Sequence, residues 1–241
     1  MMKILITNDD GINAPGIKLL AQWAKKLGEV TVVAPKVEQS AMSHAIDFMH
    51  PQEIKKVDFL DGVTAYSMSS TPADCVRFGV LGLGEKFDLV LSGINYGVNV
   101  GQDIVYSGTV AAIFEAARMG VNGIAFSTFP HSQNEASEYF DMVYDYIVSR
   151  NLFDETPIYN VNIPDKVKDI RITYQGSFYF SDGFIHDEGD MYHQYGEPIP
   201  DEFPDDLNRD TVAILNETIS VTPLITTRTD MAVFEKYKAD F

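Results

Sequence analysis

Residues 4–11 read ILITNDDG, an apolar run that breaks off into two adjacent aspartates and a glycine. A short β-branched run closed by turn-forming residues suits a buried strand. Asp9 and Asp10 then fall at its carboxyl end, where like charges repel and a cleft would oppose their ionisation further. Two readings are open. Asn, Asp and Gly are turn formers, so NDDG is one way to reverse a chain. Paired carboxylates also suit a hard divalent cation, which takes one or two of them with neutral oxygens and waters and removes their repulsion.

Outward from this stretch, strand and helix signals alternate. Pro15 stands where a helix begins, and Ile17, Leu20, Trp23, Ala24 and Leu27 recur at helical spacing until Gly28, a stop signal. VTVVA (30–34) is a β-branched strand ended by Pro35, and residues 65–69 form a weaker one. Thr71, Pro72 and Asp74 have the spacing of a capped helix start. DLVL (88–91) predicts a buried strand running into the glycine-rich loop SGINYGVNVGQ. Val110, Ile113, Phe114 and Ala117 mark the next helix, closed by Gly120, and residues 123–126 the next strand. Tyr139, Met142, Val143, Tyr146 and Ile147 give a further amphipathic helix. Such alternation predicts an α/β core over residues 1–165, a doubly wound, mostly parallel sheet with helices on both faces. Beyond residue 166 the pattern changes. Strands are expected at 170–174 and 219–221 and a short helix at 231–238, around an aromatic, acidic stretch from 177 to 206. Residues 166–241 are therefore set apart as an extension of strand-hairpin and helix.

The chain of 241 residues has 45% hydrophobic and 22% charged residues, the balance of a globular protein, and no apolar run near the ~20 residues a membrane helix needs. The start shows no long apolar stretch or small-residue cleavage site, so no secretory leader is expected. Cys75 is the only cysteine, which excludes an internal disulfide and makes the cytoplasm the expected compartment. The net charge of −17 is uneven: residues 1–120 hold 10 Lys+Arg against 13 Asp+Glu, and residues 121–241 hold 8 against 22. This acidity argues against duplex nucleic acid or anionic membrane as partners.

Ligands of open parallel sheets bind beyond the carboxyl ends of the strands, near the reversal of strand order. Three polar clusters are expected there: residues 8–10, residues 40–44 and residues 92–109. In the last, Gly93, Gly97 and Gly101 allow close backbone approach, and Asn95 and Asn99 offer amides. Tyr106, Ser107, Gly108 and Thr109 then open a helix, whose free N–H groups and dipole favour phosphate. Ser107 or Thr109 as a simple cap is the plainer alternative. The loop fits neither the Walker A nor the dinucleotide pattern. In the second cluster, a hydroxyl such as Ser40 or Ser43 can ligate a metal or bond phosphate, and His44 could move a proton. His186, Asp187, Glu188, Asp190 and His193 lack helical ligand spacing and read as a solvated acidic loop.

Taken together, ILITNDDGINAPGI, VVAP with QSAMSHAI, STPADCV, DLVLSGINYGVNVG, DIVYSGTVAAIFEA, NVNIP and ISVTPL resemble the SurE (survival protein E) nucleotidases in order and across nearly the whole chain. The resemblance implies a Rossmann-like core and a metal-dependent phosphatase of nucleoside 5'-monophosphates, acting also on 3'-monophosphates or polyphosphate. It implies that Asp9, Asp10, Ser40 and Asn95 hold one divalent cation, Mg2+ or Mn2+. Asn99, Ser107, Gly108 and Thr109 would hold the phosphate, with Ser43 nearby, and Asp9, Asp10, Asn99 and Ser107 would form the catalytic set. It further implies exchange of C-terminal segments in a homodimer or homotetramer. Ala41 and Ala111 stand where many relatives have glycine, and residues 176–210 match poorly.

The expected chemistry is metal-assisted hydrolysis of a phosphomonoester, with Asp9 or Asp10 orienting or deprotonating water, or a carboxylate attacking to give a phosphoaspartate. A haloacid-dehalogenase-type phosphatase would need D-x-D-G-T, which is not here. A response-regulator receiver is much shorter. A non-catalytic nucleotide- or phosphate-binding module would keep the phosphate loop without needing paired carboxylates.

Overall fold

The computed structural model describes residues 1–238. The first part of the chain runs β1 (Met2–Thr7), α1 (Pro15–Ala24), β2 (Gly28–Pro35), β3 (Ile54–Val57), β4 (Thr64–Met68), α2 (Pro72–Arg77) and β5 (Leu89–Tyr96). After a 3-10 turn at Gly101–Tyr106 come α3 (Gly108–Arg118), β6 (Asn122–Thr128), α4 (Gln133–Ser137), α5 (Phe140–Val148) and β7 (Ile158–Ile163). The rest holds β8 (Asp169–Ile172), β9 (Gly183–His186), β10 (Tyr192–Tyr195), α6 (Asp210–Leu215), β11 (Thr218–Leu224) and α7 (Met231–Tyr237).

Nine strands form one sheet in the order β3-β4-β2-β1-β5-β6-β7-β11-β8. From β4 to β7 every neighbouring pair is parallel. β3 and β11 run antiparallel to β4 and β7, and β8 runs parallel to β11. The chain winds outward from β1 to β2 and β4, then returns to β1's other side with β5. That reversal places a crevice beyond the carboxyl ends of β1 and β5.

The period-2 alternation of a strand explains how β1 holds two helix layers at once. Ile4 and Ile6 pack with Ile17, Leu20 and Trp23 of α1 and Phe140, Val143 and Ile147 of α5. Leu5 points the other way, to Cys75 and Val76 of α2 and Ala112 and Ala116 of α3. A strand buried on both faces must read as a continuous apolar run, as ILI does. Thr71 caps α2 as expected, accepting from the Asp74 N–H at 3.2 Å.

Several details depart from the sequence reading. α1 stops at Ala24, and Gly28 opens β2 rather than ending a helix, at a position where a side chain would lie 2.0 Å from the Met2 carbonyl oxygen. β5 continues past Leu91 through a bulge between Ser92 and Asn95, so the loop proper begins at Gly97. β3, β7 and α6 were not foreseen. The stretch read as an irregular acidic loop contains the β9–β10 hairpin. The sheet also does not end at residue 165: β11 lies between β7 and β8, so part of the predicted extension belongs to the central sheet. No helix among the described residues is long and apolar enough to cross a membrane.

Candidate functional site

NDDG reverses the chain, as its turn-forming residues suggest. Asn8 and Gly11 make the turn: the Asn8 side chain donates to the Gly11 carbonyl at 3.0 Å and accepts from the Gly11 N–H at 3.2 Å. Gly11 takes φ of +97°, open chiefly to glycine. The turn is thus closed without using the Asp9 or Asp10 side chain.

Asp9 is only 4% exposed, and burial pushes its carboxyl upward. Thr109 braces it from the start of α3, with its hydroxyl on one oxygen and its N–H on the other at 3.2 Å. Thr109, expected at the phosphate, is directed at Asp9 in this structure. Its hydroxyl and amide are both spent on a buried carboxylate that would otherwise be unsatisfied. Gly108 is small because a side chain there would meet Asp9 Cβ at 2.9 Å. Asp10 accepts from the Tyr96 N–H at 3.2 Å, and burial together with the Asp9 charge raises its carboxyl to about 6. Among the described residues, no Lys, Arg or His side chain is among the causes acting on either group.

The loop after β2 supplies Ser40. The Gln39 N–H donates to the Asp9 carbonyl at 2.7 Å, and the Ser40 hydroxyl donates to Glu38 at 2.6 Å. Ser43 joins the loop to the 3-10 turn rather than lying free, with its hydroxyl on the Val105 carbonyl at 2.6 Å. The loop's far end is held by His44, whose Nε2 lies 2.8 Å from the buried Glu115 carboxylate of α3. Burial raises the Glu115 carboxyl, but bonding from His44 and Arg77 outweighs it and leaves the group below its ordinary value.

Asn95 donates to the Gly97 carbonyl at 2.8 Å, and its amide oxygen has no hydrogen-bond donor among the described residues. Asn99 donates to the Ser127 hydroxyl at 2.8 Å. Its backbone is fixed by two asparagines of β7, which the sequence reading missed: Asn162 accepts from the Asn99 N–H, and Asn160 and Asn162 both donate to its carbonyl. Their signal was in the sequence, as polar residues at alternate positions within an apolar run. Asp210 holds the next turn, accepting from Gly101 and Gly176 N–H groups. Ser107 caps α3 by accepting from Val110 N–H at 3.1 Å. With Thr109 N–H on Asp9, the Gly108 N–H is the one amide of α3's first three that donates to no protein group among the described residues.

Asp9, Ser40, Asn95, Asn99 and Ser107 line one cavity of about 260 Å3, with Asp10 beside it across Ser40 and Tyr96. The oxygen set of two carboxylates, an amide and a hydroxyl suits a hard divalent cation, and the two un-neutralised carboxylates give it a reason to bind. No group of three or more His, Cys, Asp or Glu gathers as a metal site among the described residues, so the neutral oxygens are needed. His186 and His193 lie on the exposed β9–β10 hairpin, with His193 paired to Asp187 at 2.8 Å.

The family model described as Survival protein SurE matches residues 4–182. A protein of Thermosipho africanus named 5'-nucleotidase SurE is 40% identical over 235 residues, covering 92% of this chain and 91% of its own. A protein of the same name from Pelobacter propionicus is 40% identical over 235 residues, covering 92% and 93%. The crystal structure of the Sure protein from Aquifex aeolicus superposes with a TM-score of 0.82 at 33% identity, covering 98% of both chains.

Proposed function

The chain belongs to the SurE family, and from that premise we propose that it is a 5'-nucleotidase, a metal-dependent phosphatase that releases phosphate from nucleoside 5'-monophosphates. The observation that carries this reading is the desolvated pair Asp9 and Asp10 beside an anion-suited helix start. A module that merely bound phosphate would be weakened by two carboxylates at that place. A hydrolase that recruits a cation needs them. Phosphomonoesters with a 3'-phosphate and polyphosphate fall within the same chemistry.

Asp9, Asp10, Ser40 and Asn95 would hold the cation, Mg2+ or Mn2+ by their oxygen chemistry, and Glu38 would orient Ser40 from behind. When bound, the cation supplies charge neutralisation at the phosphate and a more acidic water. The protein's own contribution is positioning. The Gly108 N–H, the second amide hydrogen of Asn99 and the α3 dipole stabilise charge on the phosphoryl oxygens. Ser107 holds the helix start in shape, and Ser43 fixes the Ser40 loop against the 3-10 turn. Asp9 has both oxygens engaged by Thr109, so Asp10 is the freer carboxylate to orient the attacking water. The buried single cysteine suits a reducing compartment, and the cytoplasm is the proposed location.

The test is phosphate release from a panel of nucleoside monophosphates. The expected result is turnover with Mn2+ or Mg2+, lost in EDTA and restored by adding the ion back. No release with any metal removes the proposal.

A further inference from the structure

Two cavities meet at Ser40 and Tyr96. The first, about 260 Å3, carries the phosphate and cation donors. The second is about 500 Å3 and is bounded by Pro15 and Leu19 at the start of α1, by Glu38, and by Tyr96, His131 and Asn134. An aromatic ring at the end of a central strand would ordinarily be covered, yet Tyr96 is 45% exposed. It is also held still. The His131 ring meets it edge-on at 5.1 Å and 88°, and His131 Nε2 lies 2.7 Å from the Tyr96 hydroxyl. Its backbone is pinned by the Tyr96 N–H to Asp10.

We propose that this second cavity is the nucleoside subsite, with Tyr96 as the platform on which the base stacks. The inference rests on the nucleotidase reading and adds the residues that recognise the leaving group. A fixed, solvent-facing aromatic ring is what base binding requires, because every base has a π-face to lay against it. The walls have the matching chemistry. Pro15 and Leu19 are apolar, and Asn134 offers donors and an acceptor for polar base edges. Glu38 spends one oxygen on Ser40 and has another for a ribose hydroxyl. Since the platform residue follows Asn95 directly, base and phosphate are placed by one strand end.

The experiment compares kcat/KM for AMP and CMP with that for base-free ribose 5-phosphate, in wild type and in Tyr96→Ala, Tyr96→Leu and Tyr96→Phe. Loss of the π-face should lower the nucleotide-to-ribose-phosphate ratio by about tenfold or more in the Ala and Leu variants. The Phe variant should keep the ratio within about threefold, since stacking survives without the hydroxyl. Leu keeps apolar bulk, so it guards against a simple folding defect in the Ala variant. Adenosine binding by calorimetry gives a second readout, expected to weaken in parallel. A wild-type enzyme indifferent to the base overturns the proposal, as does an unmoved ratio. A ratio that falls in Phe180→Ala instead overturns it too, by moving the base into the first cavity. If wild type releases no phosphate from any substrate, the nucleotidase reading fails, and adenosine binding still decides the subsite.

Discussion

Asp9 is a buried carboxylate whose close company is Thr109 and a second carboxylate, an arrangement stable only while its hydrogen bonds hold. Removing the Thr109 hydroxyl with Thr109→Val should cost about 1–3 kcal/mol in denaturant unfolding and cut turnover at least tenfold, whereas Thr109→Ser should keep most of both. An unchanged Val variant would show that Asp9 needs no brace. Protonation offers a second check at this scale. Asp10 and Asp210 both titrate near 6 in the folded chain against an ordinary 3.8, mainly through burial. A carboxyl raised on folding gives stability that is complete below its unfolded value and declines as pH rises through its folded value. Metal-free protein should therefore melt higher at pH 5.5 than at pH 7.5. Mn2+ should narrow the gap, and Asp10→Asn should flatten it in part. Carboxylates held low, such as Glu115, act at more acidic pH and leave this window clear. Equal melting at both pH values without metal would contradict the assignment. The acidic pair was legible in the sequence because it is contiguous. Thr109's task was not, because its partner lies 100 residues away along the chain.

At the scale of elements, the geometry of the loop after β5 depends on a strand whose residues line neither cavity. β7 carries Asn160 and Asn162 on one face, both fully buried, and through them fixes Asn99. Asn162→Leu leaves the Asn99 N–H without its acceptor. It should lower kcat/KM at least tenfold while circular dichroism stays native, at a stability cost of about 1–3 kcal/mol. Retained activity would show that the loop holds itself. The same asparagines explain why β7 escaped the sequence reading: IYNVNI interrupts its apolar run with residues that usually mark turns. β3 is four half-exposed residues on an edge, and α6 is six residues without a side-chain cap, so neither carries a strong signal. β1, β2 and the start of α2 were readable because burial on both faces and capping chemistry act through neighbours in sequence.

Across the whole molecule, the doubly wound order followed from alternation alone, but the far edge of the sheet did not. β11 inserts between β7 and β8 after a long excursion, and no local pattern announces a strand's place in a sheet. The excursion also leaves apolar groups in water: Phe184 of the hairpin is 71% exposed and Tyr237 of α7 is 70% exposed, with Tyr192 and Phe234 also open. We propose that a second copy of the chain covers these groups. Light scattering should give a mass of two or four chains, and deletion of residues 226–241 should lower it. A monomeric full-length protein would remove the proposal.

The central position of β1 has a consequence for how the protein is made. The first strand to leave the ribosome finds β2 within a few dozen residues, but its other neighbour, β5, begins only at Leu89. At about 5–20 residues per second, one side of β1 waits roughly 4–16 s with its backbone groups unpaired, and Asp9 waits longer still for Thr109. The chain is therefore open to edge-to-edge association during that interval, in proportion to how slowly residues 8–88 are translated.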